Sequence, residues 1–376
     1  MYDARAFCCN PVPLRKGQHG ALSRRWAAYD DFVRNIFPWL LWVHFALGLA
    51  APAAVGAASP LAEPPASDGA QAGTATALRM TGTALGVRLE IEVLDLSRAA
   101  GELALNAAWD AVVRAESELA ALAAAAGTGK AGLSPDLVSL VARAISFCAW
   151  SDGASGPLGG AVYRLWAEGA QRGALPTPDR LESAAASAKC SRLTLRAGTR
   201  ELELAAGTEL DLRGFTRGWA VDLAVRSLVE AGAANLRVEL GPVARGLGAG
   251  PGGRGWPIPL PTLSASGDAA SQVLLLDQAI AVAEPASEAF LVAGEKILPA
   301  FDLRSGRPAT GVSSVVAVTT LAADAEPLAM AMSVLGANGG QLRLGSLRPK
   351  PSVLWLLGSG ETAVVASSNW SAVRKP

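Results

Sequence analysis

Two arginines, two aspartates and two glycines fall within twelve residues, Asp211-Leu-Arg-Gly-Phe-Thr-Arg-Gly-Trp-Ala-Val-Asp222. If a turn here opens a helix, Arg213, Gly214 and Arg217 gather at its first backbone N–H groups. Those donors lack partners and carry partial positive charge, which suits a phosphate. A plainer reading stands beside it: the glycines only allow the turn and the arginines are solvated. Spacing alone favours the plainer reading, because Gly-x-x-x-Gly turns are common.

The flanking residues supply the frame. Thr208 to Leu212 reads as a short strand. Ala220, Val221, Ala224, Val225, Leu228 and Val229 fall at helical spacing, and Gly232 sits where a helix ends. Leu236 to Leu240 resumes as a strand, so the unit is strand, turn, helix, strand.

Composition excludes several chemistries. Lys+Arg and Asp+Glu are both 33, so no global field favours nucleic acid. The two histidines, His19 and His44, lie in the first 50 residues. Without that region there is no imidazole for a Ser-His-Asp or Cys-His site or for His-ligated zinc. Cys8, Cys9, Cys148 and Cys190 show no metal spacing, and Cys148 reads as a buried thiol in an apolar helix. Trp109, Trp150, Trp166 and Trp219 read as core.

Residues 1–58 read as a secretory signal with a long polar start, an apolar run from Ile36 to Ala50 and small residues after it. A start at Val33 would leave an ordinary leader. Export to the periplasm is expected, or membrane association through an uncleaved signal segment, with no other membrane span. Removing the leader leaves 27 basic and 30 acidic side chains. Residues 59–78 form a Pro/Ala/Gly-rich linker, and 79–376 the globular domain.

Within that domain Thr83 to Leu94 alternates as one strand, and Glu102 to Ala125 is an Ala-rich helix. Ser134-Pro135 caps a helix running to Trp150. A glycine-rich loop, Ser151 to Gly160, precedes a short helix with Tyr163 and Trp166. Pro176 to Asp179 opens a helix to Ala188. Strands follow near Arg192 to Arg196, Glu201 to Leu204, Val273 to Leu276, Ala279 to Val282, Lys296 to Asp302 and Val312 to Thr319. Ala323 to Leu335 is a helix stopped by Gly336, and two strands end the chain. Without strict βαβα alternation, the expected class is α+β, mixed sheets flanked by helices.

Five stretches, in this order, resemble the ApbE-type FAD:protein FMN transferases. The central one is similar to that family's Asp-Leu-Gly-Gly-Ile-Ala-Lys-Gly-Tyr-Ala-Val-Asp. Asp302-Leu-Arg-Ser-Gly-Arg-Pro308 is similar to its Asp-Pro-Arg-Thr-Gly-Arg-Pro. Met80-Thr-Gly-Thr83 resembles its early Met-Gly-Thr, Gly153 to Trp166 its loop ending in Leu-Trp, and Ala325 to Gly336 its Ala-Asp-Ala helix. The resemblance implies a T-fold-like flavin transferase architecture, FAD as substrate, Mg²⁺ or another divalent metal, and transfer of FMN to a Ser or Thr of a partner flavoprotein. It implies flavin-nucleotide contacts at Thr81, Thr83, Ala154, Ser155, Gly156, Asp211, Arg217 and Phe301, metal contacts at Gly214 and Glu326, and a catalytic Asp302.

Chemical positions depart from that pattern. Glu326 and Met330 stand where the family has a metal-binding Asp and Thr. Pro299 replaces a His, Gly156 an Asp, Glu284-Pro285 a Ser-Gly, and Gly241-Pro242-Val243 a Gly-Gly-Asp/Asn. A thioether is a poor ligand for Mg²⁺. Three readings follow: a transferase, a flavin-binding member without catalysis, and an interaction domain. On the last, Asp222 pairs with Arg217 or Arg226, Asp302 only caps its turn, and Glu326 is a surface acid.

Overall fold

The computed structural model describes residues 77–260, 272–285, 288–358 and 363–370. The leader and nearly all of the linker lie outside them. In chain order the strands and helices are β1 (Leu78–Ala84), β2 (Val87–Val93), α1 (Arg98–Ala126), β3 (Lys130–Gly132), α2 (Pro135–Trp150), α3 (Gly160–Arg172) and α4 (Pro178–Ser187). Then come β4 (Leu193–Arg196), β5 (Glu201–Leu204), α5 (Thr216–Glu230), β6 (Leu236–Leu240), β7 (Val243–Leu247), β8 (Trp256–Pro259), β9 (Gln272–Leu275) and β10 (Gln278–Ala283). The remainder are β11 (Phe290–Val292), β12 (Glu295–Ile297), β13 (Phe301–Asp302), β14 (Arg307–Pro308), β15 (Val312–Thr319), α6 (Ala322–Leu344), β16 (Ser352–Leu357) and β17 (Ala363–Ala366).

Eight strands form one sheet in the order β1-β2-β6-β7-β10-β15-β16-β17, and every neighbouring pair is antiparallel. Side chains alternate between its faces. Val315 and Ala317 of β15 join the core with Ala224 of α5 and Leu328 of α6, together with Val353 and Trp355 of β16. Val316 and Val318 join the opposite cluster with Trp256, Val273 and Trp370. Burial on both sides explains why Val315 to Val318 of β15 reads as a continuous apolar run. The α+β expectation, mixed sheets flanked by helices, agrees with this arrangement.

Local chemistry sets several boundaries. Ser134 Oγ accepts the Leu137 N–H at 3.2 Å, capping α2 as its sequence predicts. The expected strand from Thr83 to Leu94 is instead part of a hairpin. Leu85 and Gly86 take φ of 47° and 73°, the left-handed pair that a two-residue turn requires. Thr208 to Leu212 is not a strand; that backbone leads irregularly into α5. Lys296 to Asp302 splits into the ends of two small hairpins. Gly336, at φ 66° and ψ 179°, is non-helical and breaks α6 where the sequence places a helix end, and a second helical stretch runs on to Leu344. Cys148 is not a free thiol: it forms a disulfide with Cys190. No helix among the described residues is long and apolar enough to cross a membrane.

Candidate functional site

The loop after α2 is held to two later segments by its backbone. The Ser151 hydroxyl closes the loop on itself, accepting from the Ser155 N–H at 3.1 Å and lying 2.8 Å from the Ser155 carbonyl. Ala154, fully buried, offers its carbonyl to the Leu303 N–H at 3.1 Å, and Pro157 offers its own to the Asp211 N–H at 2.7 Å. Underneath lies the disulfide. A Cβ on Gly156 would come within 2.5 Å of Cys148 Sγ, so this position has no room for a side chain.

The two segments so joined share a device: each reads Asp-Leu-Arg. Asp211 Oδ1 accepts the Arg213 N–H at 3.0 Å and Nε–H at 2.9 Å, while Oδ2 accepts Nη2–H at 2.8 Å. Asp302 holds Arg304 in the same way, at 3.0, 2.9 and 2.6 Å. The planar fork of arginine matches the carboxylate in both places. The Arg213 guanidinium also lies 3.8 Å from the centre of the Tyr163 ring. Tyr163 donates its hydroxyl to the Pro299 carbonyl at 2.9 Å and meets Phe301 edge to face, and Phe301 stacks on Trp166. Burial, with the Asp211 charge beside it, pushes the Tyr163 hydroxyl well above the usual phenol range, so it stays protonated.

Ser155, Gly156, Asp211 and Phe301 therefore line one cleft, with Arg213, Tyr163 and Met330 completing its wall. The cleft is narrow, with a cavity volume of about 20 Å³. Ala154 stands directly behind this wall. Asp302 adjoins it, one residue from Phe301, with its carboxylate turned to Arg304. Thr81 and Thr83 lie exposed on β1, the edge strand, and do not line the cleft. Tyr163 gave no sign in the sequence, because its spacing from Trp166 reads as a core stripe. Arg213, expected at the α5 N-terminus, instead pairs with Asp211, and the Asp-Leu-Arg that recurs at Asp302 is the sequence feature that could have shown this.

The N-terminus of α5 is not open to an external phosphate, because Glu326 of α6 occupies it. This carboxyl is buried, accepts the Gly218 N–H at 2.8 Å and has Arg217 Nε at 3.9 Å. Burial pushes its pKa up, and the Gly218 N–H and Arg217 offset part of that. Glu326 is thus no surface acid. The converse contact comes from Asp222 of α5, which accepts the Ala322 and Ala323 N–H groups at 3.1 and 2.9 Å and pairs with Arg245 at 2.7 Å. Asp222 does not serve Arg217 or Arg226; Arg226 bonds Asp136. The two helices cap one another. They also meet closely, since a Cβ on Gly218 would fall 2.2 Å from the Ala322 carbonyl oxygen.

A profile of the ApbE family matches residues 82–352. The chain belongs to the ApbE family. The FAD:protein FMN transferase of Treponema pallidum is 36% identical over 134 residues, which is 34% of this chain and 37% of that relative. The chain thus matches little more than a third of that protein's length. Among solved structures, the ApbE protein of Thermotoga maritima aligns with TM-score 0.68 at 20% identity, over 80% of this chain and 100% of that one. The flavin transferase ApbE of Vibrio cholerae aligns with TM-score 0.66 at 20% identity, over 79% and 99%. These likenesses show the ApbE fold.

The residues at the expected metal position do not suit a hard divalent ion. Gly214, at φ 83°, faces the Met330 side chain, which lies 2.9 Å from where its Cβ would stand. Glu326 is already engaged by a helix N-terminus beside a guanidinium, surroundings that oppose a cation. Among the described residues no three His, Cys, Asp or Glu side chains gather to hold a metal. Carboxylate and carbonyl oxygens, not a thioether, hold Mg²⁺.

Proposed function

We propose that this cleft binds FAD and that the chain is an exported FAD:protein FMN transferase, passing FMN to a serine or threonine of an acceptor flavoprotein. One observation carries the reading: Ser155, Gly156, Asp211 and Phe301, from three separate segments, converge on a single cleft in a chain of the ApbE family. The disulfide supports export, since such bonds persist in oxidising compartments. In this reading Asp302 accepts the proton of the acceptor hydroxyl, with Arg304 fixing the carboxylate's orientation.

The test is titration of the purified chain with FAD, followed by flavin fluorescence, and then AMP release in the presence of candidate acceptor flavoproteins. Binding and AMP release are expected; absence of FAD binding would refute the reading. The second reading, flavin binding without transfer, is favoured by Glu326, whose carboxyl serves a helix cap, and by Met330 against Gly214. Tight binding with no AMP from any acceptor would select it.

A further inference from the structure

Resting on the FAD-binding reading, we propose that Arg213 is the phosphate-binding cation of the cleft and that nucleotide binding here is independent of a divalent metal. A pyrophosphate needs positive charge and hydrogen-bond donors wherever it settles. Neither usual source is open on this chain: Glu326 fills the α5 N-terminus, and the Gly214–Met330 contact lacks the oxygen donors of a Mg²⁺ site.

Among the described residues Arg213 is the one cation in the wall of the cleft, and its geometry is fixed from two sides. Asp211 takes Nε–H and one Nη2–H, and the Tyr163 ring lies against the guanidinium face. Nη1, with two N–H donors, has no acceptor among the described residues. The pair is also oriented: the Asp211 side chain is 9% exposed and that of Arg213 60%. Asp211 is thus the buried partner and the guanidinium the exposed one, and the charge of Glu288 also reaches Arg213. A guanidinium held by a carboxylate and an aromatic face loses little freedom when it binds an anion, so most of the gain appears as affinity. The family signature that this stretch resembles has glycine at this position, so the cation belongs to this chain. The ligand class is a flavin carrying a phosphate or pyrophosphate.

The test uses the purified full chain and three probes, FAD, FMN and riboflavin, by flavin fluorescence and titration calorimetry, with Mg²⁺ or with EDTA. FAD affinity is expected to agree within about threefold between the two conditions. Arg213→Gln is expected to weaken FAD and FMN by at least about tenfold and riboflavin, which has no phosphate, by less than about threefold. Arg213→Lys keeps the charge without the fork and is expected to fall between. Equal weakening of all three flavins would show only a lost wall and overturn the proposal. So would FAD binding that requires Mg²⁺, which leaves the FAD-binding reading intact. No binding to the unaltered chain in either condition would overturn that reading itself, and this one with it.

Discussion

Breaking the Cys148–Cys190 disulfide tests at once how the cleft is held and where the chain works. The bond closes a loop with a sequence separation of 42 residues. Chain-entropy arguments for a loop of that length give about 13 cal/mol/K, or about 4 kcal/mol at 25 °C. Unfolding entropy near 2.1 cal/mol/K per residue over roughly 300 residues turns this into a fall in Tm of about 6 °C. The effect reaches the cleft, because Cys148 Sγ lies under Gly156 and the Cys148 carbonyl accepts the Gly153 N–H at 2.8 Å. Reduction of the unaltered chain isolates the sulfur–sulfur bond, and Cys148→Ala with Cys190→Ala provides a permanent counterpart. Circular-dichroism melts with and without reductant, beside FAD titrations, measure the two consequences. Stability and flavin affinity are expected to fall together. Non-reducing peptide mapping that fails to join the two cysteines, or a melt that reductant does not move, would refute the reasoning.

Asp222→Ala removes a carboxylate that serves two helix N–H groups and Arg245, whose Nε has no partner among the described residues. Stripping one member from a largely buried pair is expected to cost about 3 kcal/mol or more, read from urea unfolding; a loss under about 1 kcal/mol would contradict the mutual capping of α5 and α6. Glu326→Gln addresses pH. The Glu326 pKa is raised in the folded chain, so its contribution to stability is full below the ordinary glutamate range and is lost as pH rises through the raised value. The glutamine variant is expected to flatten that part of a stability-against-pH curve while keeping an acceptor for the Gly218 N–H. An unchanged slope would mean that Glu326 titrates like an exposed acid.

What the sequence made legible was local. The Ser134 cap, the Val-rich β15 and the Asp302 turn each depend on neighbours within a few positions. The misread strands failed for the same reason in reverse. Thr83 to Leu94 alternates through its own turn, so periodicity alone did not reveal the reversal at Leu85-Gly86, and Thr208 to Leu212 has strand-like residues but no strand beside it to pair with. At the site, the residues that converge were named from their motifs, but the partners of the acids were not. Here the sequence did hold an unused clue. The residues at the N-cap positions of α5 and α6 are Phe215 and Leu321, and neither helix has a side-chain cap of its own. Open N-terminal donors must find acceptors when buried, so an acid must arrive from elsewhere. Glu326 lies 108 residues from Gly218, and Asp222 100 from Ala322. Each helix supplies the other's cap, and so these two acids serve the closing of the fold and leave the chemistry of the cleft to Asp211, Arg213 and their neighbours.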